Sequence, residues 1–313
     1  MKYIYIILGV AVIAVIALFV MMPSFFTINQ VEPTVDSQNP DTEAPNSDTN
    51  ASEPSETNET ENVTLEPIRQ SVIGQSADGN AITAYHYGTG DTEILLIGGI
   101  HGGYSWNTTA VAYETMSYLE TIATNLDTVQ VTVIPVLNPD GLETVFGTAN
   151  ATNFSTVPAL ENTIAGRFNG NAVDLNRNFG CEWQAEGTWQ NRTVSGGTAA
   201  FSEPESQAIL SYVEANEPAG AVVWYSAAGG VYSSNCRNGV LPVTAEMTDA
   251  FAVAAGYPAY AEYDYYEITG DMVNWFSAQG IPGISVLLTS HQSVEADKNI
   301  AGVNAIITYF QTN

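Results

Sequence analysis

From residue 69 to the C-terminus the chain alternates short apolar runs with longer segments of helical spacing. Arg69 to Gln75 and Ala81 to Tyr87 read as two strands around Asp78-Gly79, a dipeptide suited to a tight hairpin. Ile94 to Ile100 and Ala221 to Tyr225 are apolar throughout and Val129 to Val136 and Gly283 to Thr289 largely so, the pattern of strands covered on both faces. Between them, Asn107 to Ala123 has helical periodicity, with Asn107 as the expected N-cap. Ser202-Glu203-Pro204-Glu205 has the spacing of a capping box opening a helix to about Asn216. Val243 to Ala255, Asp271 to Gln279 and Val294 to Phe310 are further helices, and Asn138-Pro139-Asp140-Gly141 carries turn chemistry. Apolar strands alternating with helices predict an α/β domain with a mixed central sheet flanked by helices.

The first 66 residues break this pattern. Tyr3 to Met22 is uncharged and apolar over about twenty residues, long enough to span a bilayer as a helix. Lys2 precedes it and no Lys or Arg follows until Arg69, which predicts a cytoplasmic N-terminus and an extracytoplasmic remainder. The rival is a cleaved signal peptide. Met21 to Phe26 offers no small-x-small site for cleavage, which favours an uncleaved anchor over residues 1–24. Residues 25–66 are rich in Pro, Ser, Thr, Asn and Glu and have too few apolar side chains to form a core. They read as a disordered acidic tether to a domain over residues 67–313. The expected location is the cell membrane, single-pass.

Charge narrows the partners. Seven Lys and Arg stand against 34 Asp and Glu, a net charge of −27. That excess argues against nucleic acid and against anionic lipid surfaces. In so acidic a chain, Arg167 and Arg177 lie ten residues apart in an Asn/Gly-rich stretch. Guanidinium pairs bidentately with carboxylate, so this stretch is either an anion clamp or two surface charges. Cys181 and Cys236 form an even pair on the oxidising side of the membrane, which one disulfide accounts for.

The order of motifs matches a family. Gly98-Gly99-Ile100-His101-Gly102-Gly103 ends one buried strand and Pro135-Val136-Leu137-Asn138-Pro139-Asp140-Gly141 ends the next. Arg167, Val173-Asp174-Leu175-Asn176-Arg177-Asn178-Phe179, Phe201-Ser202-Glu203-Pro204-Glu205, Ile268-Thr269-Gly270-Asp271 and Gly280-Ile281-Pro282 follow. From about residue 68 onward the chain resembles the M14-type zinc carboxypeptidases. The resemblance implies a mixed sheet of about eight strands. It also implies a zinc ion held by two His and one Glu, a second Glu as general base, an Arg that polarises the scissile carbonyl, an Asn-Arg pair that grips the substrate's terminal carboxylate, and a closing Tyr.

Position by position, the resemblance splits. His101 matches the first zinc ligand. The Glu ligand falls on Tyr104, or on Ser105 in a second register. The second His falls on Tyr225, and the general base falls on Leu287. The grip residues Arg167, Asn176 and Arg177 are all present, and Tyr266 matches the closing Tyr. Hydroxyls stay protonated at neutral pH and Leu moves no proton, so the pattern implies a pseudoenzyme without a resident cofactor. His101 alone is then either a lone metal ligand or a hydrogen-bonding residue. The ranked expectation is a domain that binds peptide or cell-envelope C-terminal carboxylates without hydrolysis. The second is an active zinc carboxypeptidase using His101, His291 and a carboxylate such as Asp271. The third is an adhesion or assembly module. His86, in the opening hairpin, reads as a surface residue.

Overall fold

The computed structural model describes residues 66–237 and 239–313. The expected membrane anchor and most of the acidic tether lie outside the described residues. Among those described, no helix is long and apolar enough to cross a membrane.

The opening hairpin forms as its sequence indicates. Strands β1 (Ile68–Gln75) and β2 (Ala81–Tyr87) pair antiparallel across the Asp78-Gly79 turn, where Gly79 has φ 86°. The apolar runs become β3 (Thr92–Ile97), β4 (Val129–Ile134), β7 (Gly220–Ser226) and β10 (Gly283–Leu288). Two short strands, β8 (Gly230–Ser233) and β9 (Ala259–Tyr260), complete one eight-stranded sheet of order β1-β2-β4-β3-β7-β10-β8-β9. β3 is parallel to β4 and to β7, and β7 is parallel to β10. β8 returns antiparallel to β10, so the sheet is mixed. A separate hairpin, β5 (Glu186–Trp189) with β6 (Arg192–Ser195), lies outside it.

Helices cover both faces. Helices α1 (Trp106–Ile122), α5 (Pro242–Ala255) and α7 (Ala296–Thr312) supply residues to one core, with Leu96, Val131, Trp224 and Val286 from the sheet. Helices α4 (Pro204–Asn216) and α6 (Met272–Ala278) build the other, with Ile97, Val223, Leu175 and Phe179. Each fully buried aliphatic side chain contributes about 1.5–3 kcal/mol, so these two apolar layers dominate the stability. Two shorter helices, α2 (Pro139–Phe146) and α3 (Leu160–Thr163), lie in the connection leading to the Asn/Gly-rich stretch.

Four local expectations need correction. The strand expected over 94–100 stops at Ile97, because Gly98 and Gly99 turn the chain. Gly98 N–H still donates to Ile134 O, while Gly99 has φ 65° and donates to Thr108 Oγ1. Ser105, not Asn107, takes the N-cap position of α1, without a side-chain cap, and the Asn107 amide donates to the carbonyls of Ser290 and Ser293. Asn138-Pro139-Asp140-Gly141 opens α2 rather than a simple turn: Asn138 Oδ1 accepts from Gly141 N–H, and Pro139 sits where no N–H is needed. The capping box before α4 does not form either. Glu203 takes the N-cap position without a side-chain cap, and Glu205 accepts from Ala77 N–H and Asn169.

Candidate ligand site

The parallel strands β3, β7 and β10 point their C-terminal ends toward one cavity of about 460 Å³, where open α/β sheets place ligands. Its wall brings together His101, Tyr104, Arg167, Asn176, Arg177, Tyr225, Tyr266, Asp271, Leu287 and His291. His101 lies four residues past β3. Tyr225 and Leu287 are register partners on β7 and β10. Ser105 is not among the lining residues; it is buried, with its hydroxyl unpaired. His86 lies elsewhere, on β2. It is half-buried rather than a surface residue and bonds Ser71 and Thr132.

On one wall the Asn/Gly-rich stretch folds into turns that hold two buried guanidinium groups. Arg167 Nε and Nη2 both reach Asp174 Oδ2, at 2.9 and 2.7 Å. The guanidinium lies 4.4 Å from the Trp189 ring centroid and 5.8 Å from that of Tyr104. His101 Nε2 is 3.4 Å from Asp174 Oδ1. Burial would raise the Asp174 carboxyl, but Arg167, the His101 contact and Arg177 outweigh it and hold the carboxyl well below the usual range. Burial, reinforced by Arg167, pulls His101 down to about 4 against the opposing pull of Asp174. At neutral pH His101 is therefore uncharged, and neither of its ring nitrogens has a hydrogen-bond partner among the described residues.

Arg177 is held differently. Its Nε and Nη2 donate to Thr188 O at 3.2 and 2.6 Å, and its Nη1 donates to Asn176 O at 2.6 Å. It is 1% exposed and makes no ion pair among the described residues. Two glycines permit this seat. A Cβ on Gly187 would come within 2.7 Å of Arg177 Cδ. One on Gly270, whose φ is 64°, would come within 2.2 Å of Arg177 O. Asn176 is fixed on both sides: its amide donates to Asp271 at 2.8 Å, and its oxygen accepts from Tyr225 Oη and Met272 N–H, both at 3.2 Å. Asp271 also accepts from Asn274 N–H as the cap of α6.

The opposite wall is aromatic and aliphatic. Tyr225 stands 5.9 Å from the His101 ring, centroid to centroid, and Tyr104 stands 4.5 Å from His291. Burial pushes the Tyr225 hydroxyl far above the usual tyrosine range and pulls His291 down to about 4. Cys181 and Cys236 form the expected disulfide, next in sequence to the lining residues Glu182 and Asn235.

A model described as zinc carboxypeptidase, Peptidase_M14, matches residues 55–289. The chain belongs to the zinc carboxypeptidase family. Carboxypeptidase E of Caenorhabditis elegans is 30% identical over 125 residues, which cover 34% of this chain and 24% of that protein. Among solved structures, bovine thrombin-activatable fibrinolysis inhibitor in complex with tick carboxypeptidase inhibitor aligns with a TM-score of 0.63 at 15% identity. It covers 79% of this chain and 92% of that one. Murein-tripeptide amidase from Escherichia coli O157 aligns at 0.53 and 18% identity, covering 79% and 98%. Carboxypeptidase A from Helicoverpa armigera aligns at 0.54 and 20%, covering 78% and 66%. These structures share the mixed eight-stranded sheet and its flanking helices.

Zinc is the family's usual ion, and the donors here do not fit it. A catalytic site takes three protein ligands from thiolate, imidazole and carboxylate. The positions that the resemblance assigns to the ligands hold the His101 imidazole, the Tyr225 phenol and a hydroxyl of Tyr104 or Ser105, and the Tyr225 phenol is held protonated. Asp271, the carboxylate nearest to a rescue, already caps α6 and bonds Asn176. Among the described residues no group of three His, Cys, Asp or Glu is placed to hold a metal.

Three contributors to the site were not assigned a role from sequence. Asp174 had a signal: a charged residue between Val173 and Leu175, both buried, needs a partner. Trp189 and Tyr232 had none, since each lies in a strand of four residues, too short for a clear pattern.

Proposed function

We propose that this zinc carboxypeptidase relative is a membrane-tethered receptor for peptide or cell-envelope C-terminal carboxylates, and that it does not hydrolyse them. The observation that carries this reading is Arg177, a buried cation in the cavity wall whose donors reach, among the described residues, two backbone carbonyls and no carboxylate. A buried charge without a counter-ion costs several kcal/mol, and a ligand carboxylate would offset that cost. Hydrolysis lacks its means, since Leu287 stands at the base position and phenols stand at two ligand positions. The tether and anchor, read from residues 1–66, would display the domain outside the cell.

Calorimetric titration of the purified full chain with a short peptide and its C-terminal amide tests the reading. Binding of the acid and loss of binding with the amide is the expected result; equal affinity for both overturns it. Metal analysis on the same sample should find less than stoichiometric zinc, and zinc should not shift the melting temperature. Bound zinc at 100-fold excess over its Kd would raise stability by about 2.7 kcal/mol, so a shift of that size would restore the active alternative.

A further inference from the structure

A second groove, of about 660 Å³, lies beside the Cys181–Cys236 disulfide. None of Arg167, Asn176 and Arg177 lines it, and among the described residues it shares two with the first cavity, Glu182 and Glu267. Its aromatic ring is the half-buried Trp183, whose indole N–H donates to Gly196 O at 2.9 Å and so fixes the ring. Around Trp183 stand Glu182, Gln184, Arg237, Glu267 and Thr269, and among the described residues no aliphatic side chain larger than Ala278.

The residues that follow the two cysteines form an ion pair in this wall: Arg237 Nε lies 3.0 Å from Glu182 Oε1. Both have left-handed backbone, at φ 59° and 50°, a conformation that is unfavourable for a residue with a Cβ. The pair does not offset that cost, since its side chains are 71% and 49% exposed and an exposed pair adds little to stability. Strained backbone of this kind collects at ligand clamps. The lining then says which ligand. An apolar side chain finds no aliphatic wall. An anion meets two carboxylates against one guanidinium, and a cation finds Glu182 already paired. A neutral ring bearing hydroxyls has the matching chemistry. Its C–H face packs on the indole, while carboxylate, amide and guanidinium groups present fixed acceptors and donors to neighbouring hydroxyls. We infer that this groove binds a neutral sugar ring, stacked on Trp183 and hydrogen-bonded by Glu182, Gln184 and Arg237. The site does not depend on the carboxylate-binding reading. Because Glu182 and Glu267 line both grooves, the sugar belongs either to a free glycan or to the far part of a ligand whose chain end lies in the first cavity.

The test is titration of the full chain, read by tryptophan fluorescence, with tetramers of glucose, mannose and N-acetylglucosamine and with the anionic galacturonate tetramer. At about 10 mM, ten times a Kd of about 1 mM, at least one neutral tetramer should saturate and the galacturonate tetramer should not. Trp183→Ala should weaken that tetramer about tenfold, and Trp183→Phe, which keeps an aromatic face, should weaken it less. Trp183 also bonds Gly196, so Arg237→Gln serves as a second variant. It changes an exposed side chain and should weaken the tetramer about threefold, the effect of one hydrogen bond. None of these variants should change the titration of a peptide acid. Saturation by no neutral tetramer, unchanged tetramer affinity in both Trp183→Ala and Arg237→Gln, or displacement of the tetramer by the peptide acid overturns the inference and leaves the carboxylate reading intact. Equal binding of peptide acid and amide overturns that reading and leaves the sugar site standing. A tetramer joined to a peptide acid distinguishes the source. Binding about a hundredfold tighter than either part alone supports one ligand across both grooves, and affinity equal to that of the tighter part supports a free glycan.

Discussion

Two walls of one cavity have fared differently. On the side of the Asn/Gly-rich stretch, every charged group the family pattern requires is present, and each is built into the surroundings: Arg167 on Asp174 and Trp189, Arg177 on two carbonyls, Asn176 on Asp271 and Tyr225. On the strand side, the resemblance sets Tyr225, Leu287 and, in the turn after β3, Tyr104 or Ser105 where the family has two ligands and its base. The strand side tolerates change, because a Tyr or Leu at a strand end contributes packing and its replacement leaves no buried charge unpaired. The charged side could not, because removing one member leaves another buried and unpaired. The retained charges are therefore explained first by mutual dependence. A ligand role has to be sought in what that dependence leaves over, which is Arg177.

The largest effect should come from Asp174→Ala. It leaves Arg167 without its carboxylate in a site where the side chain is 4% exposed. The expected cost is about 3–5 kcal/mol, read as a shift in the urea midpoint at constant slope. Asp174→Asn, which keeps an acceptor for Arg167, should cost less. A loss under about 1 kcal/mol for the Ala variant would break the argument from mutual dependence.

Much of this was legible in the chain. The apolar runs gave four of the eight sheet strands, because a strand buried on both faces has little freedom in composition, and the Asp78-Gly79 hairpin signal gave two more. The β5–β6 hairpin was not legible. Gly187 and Trp189 are placed by Arg177 and Arg167, contacts distant from any local periodicity. The positions of His101, Tyr225 and Leu287 around one cavity were readable only through motif order. That Arg167 reaches Asp174 from seven residues away while Arg177, three residues away, lacks a carboxylate is decided by the turns of the backbone, not by spacing.

Acid should act on the charged wall next in size. His101 folds with a pKa of about 4, set first by burial and then by Arg167, against about 6.5 in an unfolded chain. Between those values the unfolded chain binds more protons, so stability falls as the pH falls from about 6.5 toward 4. His291, lowered to about 4 by burial, acts in the same window. Asp174, held below its usual range, extends the loss to lower pH. Glu205, raised by burial, works the other way. The His101 share is on the order of 3 kcal/mol, and His101→Asn should flatten the stability profile between pH 6.5 and 4 by that order. An unchanged slope would mean that His101 is hydrated, and the wall would then not be sealed.

The smallest effect should come from the strand wall. Tyr225→Phe deletes the hydroxyl that donates to Asn176 Oδ1 at 3.2 Å, but Met272 N–H still donates to the same oxygen. No acceptor is orphaned, and a polar group is removed from an apolar strand end. The expected cost is about 1 kcal/mol, the net worth of one neutral hydrogen bond. Affinity for a C-terminal carboxylate should stay within about twofold, since under 0.5 kcal/mol separates the two states in binding. Denaturation and titration of one preparation read both numbers. A loss as large as that of Asp174→Ala would show that the strand wall is as interdependent as the charged one. The replacement of ligands by phenols would then need a cause other than tolerance.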